Sequence, residues 1–340
     1  MSKTFDLLSM GELLLRLSPP NNERIMRGDV FEKHIGGAEL NVVSGVSLLG
    51  LHTGMISKIP DTAIGDFAKN KIRYLGVSDD YLVRDTSDDA RLGVYYYESA
   101  TFPRKPQVVY DRKHTSITKV SLEEFPEEMY HQTKCFHISG ITLALSEESR
   151  RCGMEMIKKF KAAGALISFD VNFRLNLWSG AEAKACIEEI LPYVDIFFCS
   201  EDTARLTFLK EGNLQDIMKS FTQDYPISIV AATQRTVHSP KVHSFGSVIY
   251  EAATDTYYEE KPYERIDVVD RIGSGDAYCG GVLYGFLSSD MDCNKALVFG
   301  NACSAVKNTI PGDLPSSDLR EIQHVIEDHN NTGRQMEMNR

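Results

Sequence analysis

Residues 270–282 read DRIGSGDAYCGGV, a glycine-rich turn that opens into a helix of small residues. Gly273 and Gly275 lack Cβ atoms, so the backbone can bend tightly around Ser274 and direct several N–H groups at one point. The N-terminus of the following helix makes that point electropositive and stabilises an anion there. Asp276 comes next, where a carboxylate can accept the proton of an attacking hydroxyl. The stretch predicts phosphoryl transfer to an alcohol, although glycine–aspartate turns also join strands to helices without this chemistry.

The composition limits what kind of protein this is. The chain has 340 residues, with 37 Lys and Arg against 48 Asp and Glu, and a formal net charge of −11 at pH 7. We expect one large domain over residues 1–327 and a polar tail over residues 328–340. The acidic balance disfavours a nucleic-acid partner and favours a small-molecule substrate. The seven Cys include no Cys-x-x-Cys pair, so we expect reduced thiols in the core.

Two further absences bear on the location of the protein. The N-terminus lacks the apolar stretch of a secretory signal, and no segment approaches the roughly 20 apolar residues that cross a bilayer. We therefore expect a cytoplasmic protein with no membrane partner.

The central third of the chain alternates short apolar runs with amphipathic helical patterns. In order, these segments are 135–140, 147–163, 165–170, 181–191 and 195–200. Such a βαβαβ order predicts a parallel sheet covered by helices on both faces. Asp170 and Ser200 end two of the apolar runs, so they fall at the carboxyl edge of the sheet, where such folds bind ligands.

Residues 12–34 and 91–113 differ from the rest of the chain. They have no helical period and are rich in residues that favour strands. We expect them to form a small β lid that projects over the site. The unpaired edges of such a lid also offer a surface through which a homo-oligomer can form.

Two further motifs carry polar residues beside glycines or strand ends. Residues 36–43 read GGAELNVV, in which Gly36 and Gly37 allow close backbone approach and Asn41 offers a donor and an acceptor to a polyol. A tight turn that caps a buried helix is the alternative. In the stretch DVNFR, which begins at Asp170, Arg174 can clamp a carboxylate, or it can form a structural salt bridge.

The stretches 36–43 and 270–282 resemble the first and second signatures of the PfkB (ribokinase-like) carbohydrate kinases. The resemblance covers about residues 5–320 and implies a ribokinase-like three-layer α/β fold with a mostly parallel central sheet and a small β lid. Arg271 stands where that family usually has a small residue. Both Arg271 and the DVNFR pattern are similar to the branch of 2-keto-3-deoxygluconate kinases.

The resemblance assigns roles to individual residues. It implies that Asp276 is the base and that the backbone of Gly273, Ser274 and Gly275 forms the anion hole. It places the sugar against Gly36, Gly37, Asn41, Tyr95, Tyr110, Arg112 and Arg174.

The same resemblance implies ATP and Mg²⁺ as cofactors. It places the nucleotide against Ser200, Thr233, Arg235, Gly273, Gly275 and Asn301. Ser200 to Thr203 occupies the place of an Asn-x-x-Glu motif that organises Mg²⁺, and both ends of that motif are replaced. The metal ligands therefore stay unknown, and a helix N-cap at Ser200 explains the residue equally well.

Two arginines that converge on one site would favour a substrate with a carboxylate. The function implied is transfer of the γ-phosphoryl group of ATP to the 6-hydroxyl of 2-keto-3-deoxygluconate. A PfkB kinase for a neutral ketose such as fructose and a non-catalytic sugar or nucleotide sensor both remain open. Residue types do not distinguish the gluconate derivative from the galactonate derivative, because the two differ at one stereocentre.

Overall fold

The computed structural model describes residues 3–331 of the chain. Its strands are β1 (Phe5–Met10), β2 (Leu14–Ser18), β3 (Glu32–Gly36), β4 (Thr53–Pro60), β5 (Ser78–Asp85), β6 (Gly93–Glu98), β7 (Gln107–Asp111), β8 (Thr133–Ser139), β9 (Leu166–Asp170), β10 (Ile196–Phe198), β11 (Ile229–Ser239), β12 (Val242–Glu251), β13 (Thr256–Glu259) and β14 (Tyr263–Asp267). Its helices are α1 (Ala38–Leu48), α2 (Ala63–Tyr74), α3 (Gly140–Leu143), α4 (Glu147–Ala162), α5 (Gly180–Ile190), α6 (Glu201–Phe208), α7 (Leu214–Asp224), α8 (Ser274–Leu287), α9 (Cys293–Asn308) and α10 (Leu319–Asn330).

One sheet of ten strands forms the centre of the fold. Its order is β13-β12-β11-β10-β9-β8-β1-β4-β5, and β14 pairs with β12. The strands from β11 to β5 run parallel to their neighbours, and β12 to β14 extend the sheet in antiparallel fashion. The mostly parallel sheet expected from the sequence is confirmed.

Helices cover both faces of this sheet. Phe197 of β10 belongs to a buried cluster with Ile187 of α5, whereas its neighbours Ile196 and Phe198 belong to a second cluster with Leu283 of α8. Alternate side chains of a strand point to opposite faces, so a strand buried on both sides must be apolar throughout. The three-layer α/β architecture is therefore confirmed. The helices α4 and α5 also match the patterns predicted at 147–163 and 181–191 to within one residue.

The predicted lid is a separate sheet of four strands in the order β3-β2-β6-β7. It packs around a small apolar cluster of Leu14, Tyr95 and Tyr97. All five residues of β7 are exposed, and β7 lies at the edge of this sheet. An oligomer formed through the lid edge stays a prediction.

The C-terminal part of the chain differs from the sequence expectation. Helix α10 continues to Asn330, past the predicted start of a polar tail at residue 328. Ile322, on the inner face of this helix, is buried. The ring of His329 stacks on that of Tyr263 with 3.8 Å between the ring centroids, and this contact fixes the last turn of the helix. The remainder of the predicted tail, residues 332–340, lies outside the described residues.

The seven Cys are all free thiols, six of them buried, as the sequence predicts. Across residues 3–331, every helix falls short of the length and apolar content that crossing a membrane requires.

Candidate functional site

A cavity of about 630 Å³ opens between the carboxyl ends of the parallel strands and the lid. This volume is typical of small-molecule sites, which span roughly 300–1,000 Å³. Of the residues predicted from the sequence, the cavity is lined by Gly37, Asn41, Tyr95, Tyr110, Arg112, Arg174, Ser200, Thr233, Arg235, Gly273, Ser274, Gly275 and Asp276. Gly36 and Asn301 are not among its lining residues.

Two helices that begin at the cavity have free N-termini. Within residues 3–331, every α-helix except α1 and α8 has an N-cap side chain that accepts a hydrogen bond from its first turn. The N-caps of α1 and α8 are Gly37 and Gly273, which have no side chain to do this. The first turns of both helices therefore have no capping side chain. The N–H group of Ser274 donates to the carbonyl oxygen of Arg271 at 3.2 Å, and the helix dipoles favour an anion at both ends.

The backbone of the glycine turn depends on close packing. Gly273 has a φ of 82°, in the left-handed region, and a Cβ atom there would overlap with the carbonyl oxygen of Asp313. By contrast, a Cβ atom on Gly275 would meet no atom within 4 Å. The turn therefore rests on the segment around Asp313 on one side and is open to the cavity on the other.

Asp276 lies in the first turn of α8 and faces this open side. Its Oδ2 accepts a hydrogen bond of 2.6 Å from Nδ2 of Asn41 in α1. Burial raises the pKa of Asp276 to about 7, and the charges of Asp170 and Glu39 act in the same direction, while Asn41 and Arg174 oppose them. A carboxyl group that titrates near neutral pH and touches the cavity is suited to act as a general base.

Asp170 and Glu39 form an acidic group with Asp276. Burial raises the pKa of Asp170 to about 6 and also raises the pKa of Glu39. Oε1 of Glu39 accepts hydrogen bonds from the N–H and hydroxyl groups of Ser139 at 3.0 and 2.6 Å and from the hydroxyl of Thr142 at 2.7 Å. Glu39 thus holds the start of α1 against the end of β8.

The arginines of the lid side are paired with carboxylates. Arg112 donates from Nε to Oε2 of Glu12 at 3.0 Å and also from Nη2 to the same atom. Arg16 is buried and binds Asp270 at 2.6 Å and Asp313 at 2.7 Å. The Arg112 guanidinium therefore already has an anionic partner within the protein, which the sequence did not predict.

The arginines of the opposite side are unpaired. Arg174, Arg235 and Arg271 all line the cavity, and among residues 3–331 none of them forms an ion pair. Burial, together with the like charge of Arg271, lowers the pKa of Arg235. Three arginines without an ion pair on one side of the cavity can each bind an anion there.

Three predicted sugar ligands lie on or beside the lid wall. The hydroxyl of Tyr95 donates to Oδ2 of Asp313, and the ring of Tyr110, which is 42% exposed, lies 5.7 Å from that of Tyr95. Gly36 lies behind this wall, because a Cβ atom there would overlap with the Asp313 carboxylate. Gly36 thus makes room for Asp313.

The residues predicted to bind the nucleotide do not all line the cavity. Ser200 lines the cavity and also caps α6 by accepting a hydrogen bond from the Thr203 N–H group at 3.3 Å. Asn301 is fully buried, where it accepts a hydrogen bond from Ser247 and donates one to Glu260, both at 2.7 Å. It therefore holds α9 against the sheet, away from the cavity.

Several cavity residues were missing from the predicted set. The charged ones are Glu12, Glu39, Asp170, Arg271 and Asp313. A signal existed for three of them, because Asp170 ends a strand, Arg271 lies within the glycine turn, and Glu39 is a charged residue inside a run of small ones. Nothing local to Glu12 or Asp313 indicates a site.

The glycine turn at the start of α8 and the carboxyl group of Asp276 beside it face the same cavity, an arrangement suited to phosphoryl transfer. Residues 4–318 match the pfkB family of carbohydrate kinases, and the chain belongs to this family. The protein is accordingly a carbohydrate kinase, as the sequence predicts.

Individual relatives are similar over nearly their whole length. The chain is 32% identical to the 2-dehydro-3-deoxygalactonokinase of Haloferax volcanii, with 95% of this chain and 97% of the relative covered. It is also 32% identical to the 2-dehydro-3-deoxygluconokinase of Thermotoga maritima, whose crystal structure matches with a TM-score of 0.89 over 95% of this chain and 99% of that one. An uncharacterized sugar kinase of Pyrococcus horikoshii in complex with ATP matches with a TM-score of 0.75 at 25% identity, over 94% and 99% of the two chains.

Proposed function

We propose that this carbohydrate kinase transfers the γ-phosphoryl group of ATP to the 6-hydroxyl of 2-keto-3-deoxygluconate. The observation that carries the proposal is the position of Asp276, a base with a pKa near 7 beside the free N-terminus of α8. The ATP-bound kinase from Pyrococcus horikoshii supports the choice of donor.

The residues of the cavity divide the chemistry between them. The N–H groups at the start of α8 and the arginines Arg235 and Arg271 hold the phosphates, where negative charge is spread over the transferring group. Asp276 accepts the proton of the sugar hydroxyl as its oxygen forms the new bond to phosphorus. The bond from phosphorus to the β–γ bridging oxygen breaks, and ADP leaves. Asn41 keeps the Asp276 carboxylate aimed at the hydroxyl.

The residues of the cavity would hold Mg²⁺ together with the nucleotide. No group of three His, Cys, Asp or Glu side chains that could enclose a metal ion occurs in the described part of the chain. Asp202 lines the cavity near Ser200, whereas Glu201 pairs with Arg205 at 2.6 Å. These residues fit Mg²⁺ that is held mainly by ATP phosphates, with Asp202 as the available protein ligand, and Mg²⁺ would neutralise phosphate charge.

The choice of an acid sugar depends on Arg174. Its guanidinium is unpaired and lines the cavity next to Asp170 and Asp276, so it can bind a substrate carboxylate in bidentate fashion. The relatives named for the galactonate and the gluconate derivatives support this class of substrate.

A neutral ketose such as fructose is the second candidate, and one observation favours it. Arg112, expected to be the other ligand of the carboxylate, is engaged by Glu12. Of the two arginines predicted to bind the sugar carboxylate, only Arg174 is therefore without an ion pair among residues 3–331.

A single assay tests the proposal. Purified protein is incubated with ATP and Mg²⁺ and with 2-keto-3-deoxygluconate, 2-keto-3-deoxygalactonate or fructose, and ADP formation and the phosphorylated carbon are measured. We expect the highest kcat/KM with the gluconate acid and phosphate on its 6-oxygen. A higher kcat/KM with fructose than with either acid would overturn the proposal.

A further inference from the structure

Lys307 is a buried cation that the scheme above does not use. It lies in the last turn of α9, and its side chain is 1% exposed. Among residues 3–331 it forms no ion pair. Burial lowers the pKa of its ammonium group, which reflects the cost of taking the charge out of water. A buried ammonium without a carboxylate partner is rare, because this cost needs a compensating interaction.

The ammonium group binds the segment on which the glycine turn rests. Nζ of Lys307 donates to the carbonyl oxygen of Ile310 at 3.1 Å. Two residues further on, the N–H group of Gly312 donates to Oδ2 of Asp270 at 3.2 Å. The carbonyl oxygen of Asp313 then fills the space against Gly273. Lys307 therefore fixes one support of the turn that receives the phosphate.

The other support of the turn is tied to the same helix end. The carbonyl oxygen of Asn308 accepts hydrogen bonds from the N–H groups of Val269 at 2.8 Å and Asp270 at 3.2 Å. Oδ1 of Asp270 in turn accepts from the N–H group of Ile272 at 3.0 Å. Both flanks of the glycine turn thus depend on the C-terminus of α9, where Lys307 lies.

Charge gives Lys307 a second effect. The carboxylates of Asp270, Asp313 and Asp276 all favour its charged form, while Arg16 opposes it. Without the charge of Lys307, Arg16 would be the cation that compensates Asp270 and Asp313, and the electrostatic potential beneath the glycine turn would become more negative. The electrostatic barrier to binding a phosphate would rise accordingly.

We propose that Lys307 is a positioning residue for phosphoryl transfer: its buried ammonium holds the segment from Ile310 to Asp313 against the glycine turn and offsets the carboxylates beneath it. The inference rests on the proposed function and adds to it a residue that touches neither substrate.

The test compares three variants of the full chain. Lys307→Met removes the charge and the hydrogen bond at similar size, and Lys307→Gln removes the charge while keeping an N–H donor. Lys295→Met is the matched control, because Lys295 lies in the same helix and also donates to a backbone carbonyl, that of Ser288, at 3.2 Å. Each protein is assayed for ATP-dependent phosphorylation of 2-keto-3-deoxygluconate, and folding is checked by thermal unfolding and by sugar binding.

We expect Lys307→Met to lower kcat about 10- to 100-fold, somewhat less than loss of a direct oxyanion donor, and to leave the KM for the sugar within about twofold. Lys307→Gln should fall between Met and wild type, and Lys295→Met should match wild type. Wild-type kcat in the Lys307→Met variant would overturn the inference. If neither Lys307 variant folds, Lys307 serves only stability and the inference is also overturned.

The pH profile separates a positioning role from a loss of folded protein. Removing a positive charge near Asp276 disfavours its carboxylate form, so the acid limb of kcat/KM should move upward by roughly half a unit in both Lys307 variants. The other groups that act on Asp276 are left in place, namely Asn41, Asp170, Arg174 and Glu39. A mere loss of active protein would lower the rate equally at every pH. If wild type phosphorylates none of the sugars, the proposed function fails, whereas an unmoved limb in active variants defeats the role of Lys307 alone.

Discussion

The arginines on the two sides of the cavity differ in whether they form ion pairs. On the lid side, Arg16 and Arg112 are bound to carboxylates of the protein itself. On the other side, Arg174, Arg235 and Arg271 line the cavity, and none of them has a carboxylate partner within residues 3–331. A paired arginine gives rigidity, whereas an unpaired one gives affinity for an anion that is not yet present. In the proposed scheme, the lid wall is already ordered by its ion pairs when the sugar binds, whereas the side with unpaired arginines gains its anionic partners from the substrates.

The two uncapped helices follow the same division. The N-terminus of α1 lies beside Asn41, and the N-terminus of α8 lies beside Asp276. Capping side chains elsewhere satisfy the helices internally. The absence of a capping side chain at these two ends costs some helix stability, and in the proposed scheme their N–H groups bind the substrates.

The largest expected effect on activity comes from replacing Asp276, the proposed base, which lies between the two sides of the cavity. We expect Asp276→Asn to lower kcat by about 10³-fold, because the amide cannot accept the proton of the attacking hydroxyl. Sugar affinity measured by calorimetry should change little, since Asn retains the shape of the side chain. Turnover close to wild type would show that Asp276 is not the base.

Arg271 tests whether the unpaired side binds phosphate. We expect Arg271→Ala to lower kcat/KM for ATP about 100-fold and to leave the KM for the sugar nearly unchanged, because one cation near the transferring group is lost. Arg73→Ala is a suitable control, since Arg73 pairs with Asp79 on the surface away from the cavity. Equal kcat/KM for ATP in Arg271→Ala and Arg73→Ala would contradict a role of the unpaired arginines in binding phosphate.

Arg174 and Arg112 compare a free and a paired arginine directly. We expect Arg174→Ala to raise the KM for the acid sugar about 20-fold, because a charge-assisted contact with the carboxylate disappears. We expect Arg112→Ala instead to lower the free energy of unfolding by about 3 kcal/mol, because it leaves the buried Glu12 unpaired. Steady-state kinetics and denaturant unfolding of both variants measure this contrast. A larger rise in KM for Arg112→Ala than for Arg174→Ala would reverse the assignment and restore Arg112 as the carboxylate ligand.

The smallest effect is the pH dependence of the wild type. With a pKa of about 7, Asp276 is increasingly protonated below neutral pH, so kcat/KM should fall about fivefold between pH 7 and pH 6. A raised carboxyl pKa stabilises the folded state at low pH, and this contribution is lost as pH rises through about 7. Thermal unfolding should therefore show Asp276→Asn to be more stable than wild type at pH 8, with a smaller difference at pH 5. A flat rate profile from pH 8 to pH 5.5 would be inconsistent with this environment for Asp276.

The sequence predicted the features that depend on neighbouring residues. The helices α4 and α5 were predicted from their apolar periodicity, and in the structure Ser146 and Ser179 cap their first turns. The glycine turn was recognisable because Gly273 needs a left-handed conformation that few other residues adopt. The start of the predicted tail was wrong by a few residues, because the contact of His329 with Tyr263 comes from a strand distant in the chain.

By itself, the sequence determined the three-layer fold, the lid and the place of Asp276. The apolar periodicity of strands and helices, and the glycine turn, depend on residues that are close together in the chain. Only the tertiary structure decided how the charges are shared. Arg112 and Glu12 are 100 residues apart in the chain, and Arg16 is 297 residues from Asp313. No local sequence pattern could therefore predict that these ion pairs form. The same holds for the raised pKa of Asp276 and for the buried Lys307, because burial is set by the packing of elements from the whole chain.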